Sequence, residues 1–463
     1  MPWKPTGKRA RPAGASVAKV VTASDRLMKA CWLMAGLALM LGSGCLRVRL
    51  PQAQIISGPA QEEMAWKRAV QLTLGHHPDL RQARETLSAA AHNRTQALGA
   101  YLPSVDGTIK STESRSGSST TDSLALDLDV TQPLFAGGRI TGEALQAWRQ
   151  WEAARWAYVE QSATVRQSLR GAFVELLRLY QLLEVNRKIA ARRAENAELL
   201  RLRYEAGREH QGSWRRAQAI AEQAAFDVRQ TERRVESQSL ALGRQLGGYF
   251  ATAMPVDGQL EQLLPAIPEP PQDYVLLAEH APPVQRLTRS AEALKAAILS
   301  SQASLWPTVD GTFNYGASGT KSSDLEDDRT LGVTVSVPLF HGGQNVQGVL
   351  ESSAQYRAAV EAARSARDGR IAELSERWAA FRDAWELVAV RRSFLEAARQ
   401  RAEIVHAQYT SGLASFQDFD IAEQELADSE KSYVQSLADV LIQEASWLFT
   451  QGATLEEALN VQE

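Results

Sequence analysis

Few side chains in this sequence have the types and spacing that chemistry at a site requires. The chain has 463 residues, with two cysteines and seven histidines that lack the ligand spacing of a metal site. The glycine pairs 137–138 and 342–343 lack the further glycine and the lysine of a phosphate-binding loop, and no serine elbow or carboxylate pair has a catalytic setting. We therefore expect no metal, no cofactor and no enzymatic activity. The histidines are His76, His77, His92, His210, His280, His341 and His406.

Cys45 is the one residue with a predicted covalent modification. Seven lysines and arginines precede a short apolar run, Ala30–Met40, and small residues lead up to the cysteine, which is the composition of a secretory signal. These small residues are similar to a bacterial lipobox, although Gly42 stands where leucine is usual. We expect residues 1–44 to be a signal peptide, Cys45 to be acylated, and residues 45–60 to form a lipid-anchored arm. The alternative is an ordinary signal peptide that is cleaved nearby.

Charge and hydropathy argue against two further classes of protein, those that bind nucleic acid and those that cross a membrane with an apolar helix. The chain carries 51 lysines and arginines against 54 acidic residues, and removal of residues 1–44 leaves 44 against 53. A mildly acidic chain argues against nucleic-acid binding, which favours a basic face. The leader's apolar run is shorter than the roughly 20 residues of a membrane-spanning helix, and no later segment reaches that length without charges. We expect the rest of the chain to cross a membrane as a closed β-barrel or not at all.

The chain contains two copies of one structural unit. Residues 133–138, Pro-Leu-Phe-Ala-Gly-Gly, recur 205 positions later as residues 338–343, Pro-Leu-Phe-His-Gly-Gly. Two other blocks keep nearly the same offset: 103–108 with 307–312, and the Tyr-x-x-Gly blocks 204–207 with 409–412. Such a long period indicates a duplicated half rather than a solenoid. The predicted parts are a first repeat at 61–250, a proline-rich linker at 251–276, a second repeat at 277–452 and a C-terminal tail at 453–463.

Proline placement predicts very long helices. No proline lies between Leu134 and Met254 or after Pro338, and proline is what breaks helix interiors. Residues 140–203 would form a helix of about 96 Å, and shorter helices are expected at roughly 61–101 and 277–305. Apolar residues in both long helices step by 4, 3, 4 and 3, which is typical of a coiled-coil seam; an amphipathic helix on a globular core is the alternative. The seam residues are Leu169, Phe173, Leu176, Tyr180 and Leu183, and Leu374, Trp378, Phe381, Trp385 and Val388.

Strand signals stand just before each long helix. Apolar and polar residues alternate over 124–130 and 331–337, which predicts strands with one apolar face. The serine- and glycine-rich tracts 111–121 and 316–328 are interpreted as exposed hairpin loops. Four strands cannot close a barrel; two chains would give eight strands, and three would give twelve with room for a lumen. A soluble β-sandwich is the alternative. Aromatic residues lie at the strand ends, as in the girdles of membrane barrels: Tyr101, Phe135, Trp306 and Phe340.

With these motifs the chain resembles the TolC-like outer-membrane efflux proteins, of the lipoprotein type, over roughly residues 61–452. The resemblance implies a mainly α fold with a β-barrel. Long antiparallel coiled-coil helices would form a periplasmic tunnel, and four strands per chain would contribute to a 12-stranded barrel shared by a homotrimer in outer-membrane lipid. The tunnel tip would meet a periplasmic adaptor protein and, through it, an inner-membrane transporter. The motifs are residues 69–72 and 77–80, Leu102-Pro103, both Pro-Leu-Phe-x-Gly-Gly blocks and both Tyr-x-x-Gly turns.

The resemblance also assigns two groups of functional residues. At the barrel-to-tunnel junction, a proline would end the strand, an aromatic ring would lie at the membrane interface, and two glycines would let the chain turn into the helix. The other group would form the tunnel tip, with its gate and adaptor contact. The junction residues are Pro133, Phe135, Gly137, Gly138, Pro338, Phe340, Gly342 and Gly343. The tip residues are Tyr204, Gly207, Ser213, Tyr409, Gly412, Asp418 and Asp420.

The two turns at the tip differ. The second turn is similar to the family pattern Tyr-x-x-Gly-x-x-Ser-x-x-Asp, whereas the first carries Ser213 where the second has Asp418. Gly207 and Gly412 are expected in the left-handed conformation that a tight helix turn needs. Asp418 and Asp420 are open to two interpretations: helix capping, or an acidic ring of three copies that favours cations. Because the first turn has Ser213 instead of an aspartate, the sequence argues against a closing polar network between the two turns.

The sequence therefore predicts the exit duct of a tripartite efflux system. We expect the chain in the outer membrane, lipid-anchored and extending into the periplasm, with energy supplied by a partner. The exit duct of a type I protein secretion system is an alternative within the same fold. A pore-free, lipid-anchored periplasmic coiled-coil scaffold is an alternative of another class, and strands with one apolar face argue against it.

Overall fold

The structure, a computed structural model, describes residues 65–117, 119–248, 255–266, 269–320 and 324–460. The predicted signal peptide, Cys45 and the predicted arm at 45–60 lie outside the described residues. Two compact units are present. Of the described residues, 65–97, 141–248, 255–266, 269–299 and 347–460 belong to the helical unit, and 98–117, 119–140, 300–320 and 324–346 belong to the β unit.

In chain order the described helices are α1 (Trp66–His76), α2 (Pro78–Gly99), α3 (Arg139–Glu205), α4 (Gln211–Gln245), α5 (Tyr274–His280), α6 (Pro282–Gln302), α7 (Gln344–Ser411), α8 (Phe416–Gln451) and α9 (Glu457–Asn460). Short 3₁₀ helices span Leu260–Leu263 and Ala303–Leu305. The strands are β1 (Ser104–Ser116), β2 (Ser119–Phe135), β3 (Thr308–Gly319) and β4 (Glu326–Ser336). Among the described helices, none combines the length and the apolar composition needed to cross a membrane.

The long helices are confirmed. α3 has 67 residues and α7 has 68, so each is about 100 Å long at 1.5 Å per residue. Each is followed, after a short turn, by a return helix of about half its length, α4 or α8. The absence of proline is enough to allow this length, and the buried seam described below supplies the stability that isolated helices lack.

The predicted helices at 61–101 and 277–305 are wrong in one respect, because each is two helices. The breaks fall at His77 and Ala281, whose ψ angles of 124° and 135° are extended. Pro78 and Pro282 follow directly, and a proline ring disfavours the helical conformation in the residue before it. At the first position of the next helix, proline loses nothing by lacking an N–H.

The predicted seam forms the core of the helical unit. Leu169, Phe173 and Leu176 are buried in one apolar cluster, and α7 buries its counterparts in a second cluster. α8 contributes to both clusters, with Leu437 and Leu441 in the first. The alternation of 4 and 3 thus places one stripe of each long helix against α8. The α7 residues are Leu374, Trp378 and Phe381, which lie with Val440 and Trp447 of α8.

The linker and the tail contribute to the same core. Leu260 from the proline-rich linker and Leu455 from the tail are both fully buried in the first cluster. The carbonyl of Pro265 accepts a hydrogen bond from the Trp385 indole at 3.2 Å, and the Glu456 carboxylate accepts one from the Tyr158 hydroxyl at 2.6 Å. Both segments are therefore structural parts of the helical unit.

The four strands form one antiparallel sheet in the order β1-β2-β3-β4. The interpretation of residues 111–121 and 316–328 as loops is wrong for most of their length. β1 continues to Ser116, β2 begins at Ser119, and β3 pairs with β4 as far as Ser318 with Glu326. Threonine and serine side chains pair well across strands, so these polar tracts extend the hairpins instead of ending them.

The predicted apolar face is confirmed by the register. Val105, Val130, Phe313 and Leu331 are opposite one another across all four strands, and directly opposite residues share a face. The other face carries mainly polar residues, and the Asn314 amide donates to Asp129 on it at 2.7 Å. Leu331 is 84% exposed and Val105 is 61% exposed, so within one chain the apolar face is left uncovered.

The two Pro-Leu-Phe-x-Gly-Gly blocks differ in detail. Pro133 lies inside β2, where the register with β3 shifts between Pro133 and Phe135, whereas β4 ends two residues before Pro338. The expectation that proline ends the strand therefore holds only in the second copy, because a bulge accommodates the missing N–H in the first. Both glycines of each block have positive φ, between 61° and 94°, as a turn into a helix requires.

Gly137 and Gly342 provide a matched test of close packing. Both have φ near 60°, but a Cβ on Gly137 would lie 2.9 Å from the Ala303 oxygen and from the Trp306 Cβ, whereas nothing lies within 4 Å of one on Gly342. Replacing Gly137 by alanine should therefore destabilise the protein by about 1 to 3 kcal/mol more than the same change at Gly342. Thermal unfolding followed by circular dichroism in detergent measures the difference, and equal midpoints would contradict the assignment.

Candidate functional site at the helix turns

The predicted tip residues lie at two turns, residues 206–210 between α3 and α4, and residues 412–415 between α7 and α8. Gly207 has φ of 69° and Gly412 has φ of 81°, so the left-handed glycines predicted here are confirmed. The Gly207 amide donates to the Tyr204 carbonyl at 2.9 Å, and the Gly412 amide donates to the Tyr409 carbonyl at 3.1 Å. These bonds close the end of each long helix.

The two turns start their return helices with different caps. The Ser415 hydroxyl accepts from the Asp418 amide at 3.2 Å, and the Asp418 carboxylate accepts from the Ser415 amide at 3.2 Å, which makes a capping box. His210 and Ser213 hold the same positions 205 residues earlier, and the Ser213 amide donates to the His210 ring at 3.3 Å. The aspartate that is missing at Ser213 is thus accompanied by a different cap, and both helix starts are satisfied.

Asp418 and Asp420 have different surroundings. Asp418 is exposed, and hydrogen bonds from the Ser415 hydroxyl and amide lower its pKa, as expected for a capping carboxylate. Asp420 is only 8% exposed and pairs with Arg193 at 3.3 Å and with Arg216 at 2.8 Å. The charge of Asp420 is therefore compensated within the chain, and Asp418 is the carboxylate that an acidic ring would present.

Tyr409 connects the two turns. Tyr409 is 2% exposed, its ring lies nearly parallel to that of Phe419 with centroids 4.9 Å apart, and the Arg203 guanidinium lies over the ring, 4.4 Å from its centroid. Its hydroxyl donates to the Glu209 carboxylate in the first turn at 3.0 Å. Arg203 also donates to the Thr410 carbonyl at 2.8 Å, so two polar links from the first arm reach the second turn.

Glu209 is charged at this contact. Burial raises the pKa of Glu209, but hydrogen bonds from Ser213, Tyr409 and the His210 amide outweigh burial, so the pKa lies below its ordinary value. A carboxylate that accepts from a buried tyrosine makes a charge-assisted hydrogen bond, which is stronger than a neutral one. The link between the turns is therefore strongest while Glu209 is ionised.

The other predicted tip residues make local contacts. Tyr204 stacks on Trp214 in its own arm, with centroids 5.4 Å apart and an angle of 16° between the rings. Ser213 is buried beside His210, with 3.1 Å between the serine hydroxyl and the imidazole. Of the residues proposed from the sequence, Tyr409 is thus brought to the opposite turn, and Tyr204, Ser213 and Asp418 are held within their own turns.

Sequence reasoning missed Glu209 and Arg203. Their positions in the second copy carry Ala414 and Gln408, so neither residue belongs to a repeated motif. The only available signal was this asymmetry: a charged residue stands in one turn where its duplicate does not. In the described part of the chain, no group of three or more histidine, cysteine or acidic side chains is placed to hold a metal ion.

Two arms of long helices joined to a four-stranded sheet define a class of outer-membrane channels. The family model for outer membrane efflux proteins matches residues 69–248 and 274–447, and the chain belongs to this family. No curated protein matches it with significant similarity. The family and the structural neighbours are channel proteins rather than enzymes.

Solved structures share the fold. VceC of Vibrio cholerae is 20% identical with a TM-score of 0.73, over 84% of this chain and 96% of that one. MtrE of Neisseria gonorrhoeae in its open state is 15% identical with a TM-score of 0.76, over 88% and 96%. CmeC of Campylobacter jejuni is 13% identical with a TM-score of 0.74, over 89% and 97%. With the family match, they support an outer-membrane efflux duct that extends into the periplasm, and the secretion duct and the scaffold are not favoured.

Asp420 and Asp418 should respond differently to loss of charge. Asp420→Asn leaves the buried Arg193 without its carboxylate, which typically costs about 3 kcal/mol, whereas Asp418→Asn loses one exposed capping interaction. We expect Asp420→Asn to accelerate hydrogen exchange of the amides in residues 193–220 and 409–424 much more than Asp418→Asn does. Equal acceleration by the two variants would contradict the ion-pair assignment.

Proposed function

We propose that three copies of this chain form a passive duct through the outer membrane and the periplasm. The twelve strands of the trimer make one barrel, and the long helices make the tunnel below it. Cys45 carries a lipid anchor. Channels of this family work as trimers with an adaptor and an inner-membrane pump, and the adaptor of this chain would bind at the turns.

The sheet edges carry the proposal. β1 has 13 residues and β4 has 11, and both are edge strands of the sheet. An edge strand presents unpaired N–H and C=O groups, which natural proteins normally cover or interrupt. Pairing β4 of one chain with β1 of the next satisfies both edges, and the ring closes when the strands complete a barrel.

The two faces of the sheet support a barrel that holds water. The face with Val105, Val130, Phe313 and Leu331 suits lipid along this row, which is apolar on all four strands, whereas charged residues such as Arg329 lie on it nearer the hairpin ends. The opposite face carries carboxylates that need water, with Lys110 as a basic residue among them. An inward polar face of this kind is typical of barrels with an aqueous lumen. The carboxylates are those of Asp106, Asp127, Asp129, Asp310, Glu326 and Asp328.

We assign the closed gate to the two turns and the barrel-to-tunnel junction to the two Pro-Leu-Phe-x-Gly-Gly blocks. The link from Tyr409 to Glu209 supports the gate, since it joins one turn to the other at 3.0 Å. Positive φ at both glycine pairs, 137–138 and 342–343, supports the junction. We further propose that the chain catalyses no reaction and that the pump supplies the energy.

Arginine on either face of β4 distinguishes a barrel from a scaffold. Leu331→Arg places a charge on the apolar face, where lipid contact costs about 2 to 4 kcal/mol near the membrane midplane. Thr330→Arg places the same charge on the polar face of the same strand. We expect Leu331→Arg to reduce the amount of heat-resistant trimer in the outer-membrane fraction, while Thr330→Arg remains near the wild-type level.

The comparison isolates the face, since the two variants share strand, size and charge. A soluble or lipid-anchored scaffold would tolerate both substitutions equally. If Leu331→Arg inserted and conducted in planar bilayers as the wild type does, the lipid-facing assignment would be wrong.

The gate assignment predicts a change in conductance. Tyr409→Phe removes the hydroxyl that donates to Glu209 and leaves the ring stack on Phe419, so each chain should lose about 1 kcal/mol of closing free energy. We expect more frequent and larger openings of the reconstituted trimer in single-channel recordings.

Tyr204→Phe is the control, because the Tyr204 ring stacks on Trp214 and its hydroxyl makes no hydrogen bond within the described residues. Identical recordings for the two variants would refute the gate.

The same recordings test the acidic ring. Asp418→Ala removes a carboxylate from each chain and should lower the preference of the channel for cations, and an unchanged preference would exclude that role for Asp418.

A further inference from the structure

A cavity in the helical unit has no part in the duct described above. Its volume is about 520 Å³, within the range of small-molecule sites. It lies between α3 and α8, and the 3₁₀ turn at Leu260–Leu263, the start of α1 and the chain after α8 complete its walls. All of these elements belong to the helical unit of one chain.

Arg166 on the wall of this cavity lacks a matched counter-ion. In the part of the chain that the structure describes, its guanidinium forms no ion pair, and it donates one hydrogen bond, to the Thr454 carbonyl at 3.3 Å. Burial lowers the pKa of Arg166, against the more distant carboxylates of Glu457 and Glu444. A half-buried cation without a close carboxylate is costly unless an anion accompanies it.

Two carboxylates act on the cations at this cavity, Glu444 in its lining and the more distant Glu457. Arg170, one helical turn after Arg166, lies 3.7 Å from Glu444 and 4.9 Å from the Trp66 ring. Burial raises the pKa of Glu444, although both arginines oppose this. Lys67 adds a third positive group to the lining. Arg170 is thus paired with Glu444, and among the described residues Arg166 is the lining arginine that forms no ion pair.

The remaining wall is mainly apolar, with two glutamines, Gln167 and Gln262, as its polar residues. Trp66, Leu263, Leu448 and Phe449 line the cavity together with small alanine side chains. A ligand that fits must offer an acidic group to the arginines and a hydrocarbon or aromatic part to this wall. Inorganic phosphate would satisfy only the first requirement, and a neutral apolar compound only the second.

We propose that this cavity is a binding site for a small amphiphilic anion, with its carboxylate, sulfonate or phosphate on Arg166 and Arg170 and its apolar part against Trp66, Leu263 and Phe449. The anion is either a free organic acid or the acidic end of an envelope lipid, which share this chemistry. The site belongs to a single chain and does not depend on the duct proposal.

The test uses the full-length protein in a non-ionic detergent and 8,8,8-trifluorooctanoate as the probe, followed by fluorine NMR. Arg166→Gln should weaken binding about 10- to 100-fold, as loss of a charge-assisted hydrogen bond would. Ala445→Leu should also weaken it, by filling the cavity without changing its charge. Arg187→Gln is the matched control, because Arg187 lies on the same helix, pairs with Glu232 at 2.9 Å and does not line the cavity.

The proposal is wrong if the wild-type protein does not bind the probe, or if both Arg166→Gln and Ala445→Leu bind it as tightly as the wild type does. It is also wrong if Arg187→Gln weakens binding as much as Arg166→Gln does. Native mass spectrometry separates the two sources. Phosphatidylglycerol retained by the wild type and lost in Arg166→Gln indicates a lipid, and probe binding by lipid-free protein indicates a free acid. If Arg166→Gln instead dissociates oligomers without affecting the probe, the arginine serves a subunit contact and the site is refuted.

Discussion

Backbone hydrogen bonding along β1 and β4 is the constraint on which the rest of this structure depends. A four-stranded sheet leaves one edge of each outer strand unpaired, and here both strands are long and regular. One face of the same sheet has a row of apolar residues across every strand, so a single chain leaves both its polar edges and an apolar surface uncovered. The proposed assembly within lipid would remove both costs together. This is why family membership and the sheet point to the same kind of molecule.

The helical unit solves a different problem, the stability of helices about 100 Å long. Propensity alone does not hold such helices in water, and the seam at alternating steps of 4 and 3 supplies what is missing. α8 lies in both apolar clusters, so each long helix has a partner along the buried part of its length. The linker and the tail add Leu260 and Leu455 to this core. Segments that connect the two repeats in sequence thus stabilise the helical unit.

Sequence patterns predicted the features that depend on local rules. Missing prolines predicted both long helices, and the bounds predicted for α3 lie within two residues of its observed ends; alternation predicted the apolar face of the sheet. Two predictions were wrong for different reasons. Serine- and threonine-rich tracts were interpreted as loops from composition, but they pair as strands, and the effect of Pro78 and Pro282 on the residue before each of them was not applied, so each short helix is two. The contact between Tyr409 and Glu209 could not be predicted, because it depends on which side chains two separate helix pairs bring together. Asp420 was expected to cap a helix or to belong to an acidic ring, but the sequence repeat did not predict its ion pairs with Arg193 and Arg216.

The divergence of the two turns has a physical reason. If both copies had kept identical turns, the same residue types would face each other where the turns meet. Equal charges would then repel each other, and two hydrogen-bond donors would lack an acceptor. In this chain the first copy carries Arg203 and Glu209, and the second carries Gln408 and Ala414 at the same positions. The second copy then supplies Tyr409 and the Thr410 carbonyl as partners. The sequence differences between the two turns therefore provide hydrogen-bond donors on one side and acceptors on the other. The glycines that both turns share, Gly207 and Gly412, provide the left-handed backbone conformation of each turn.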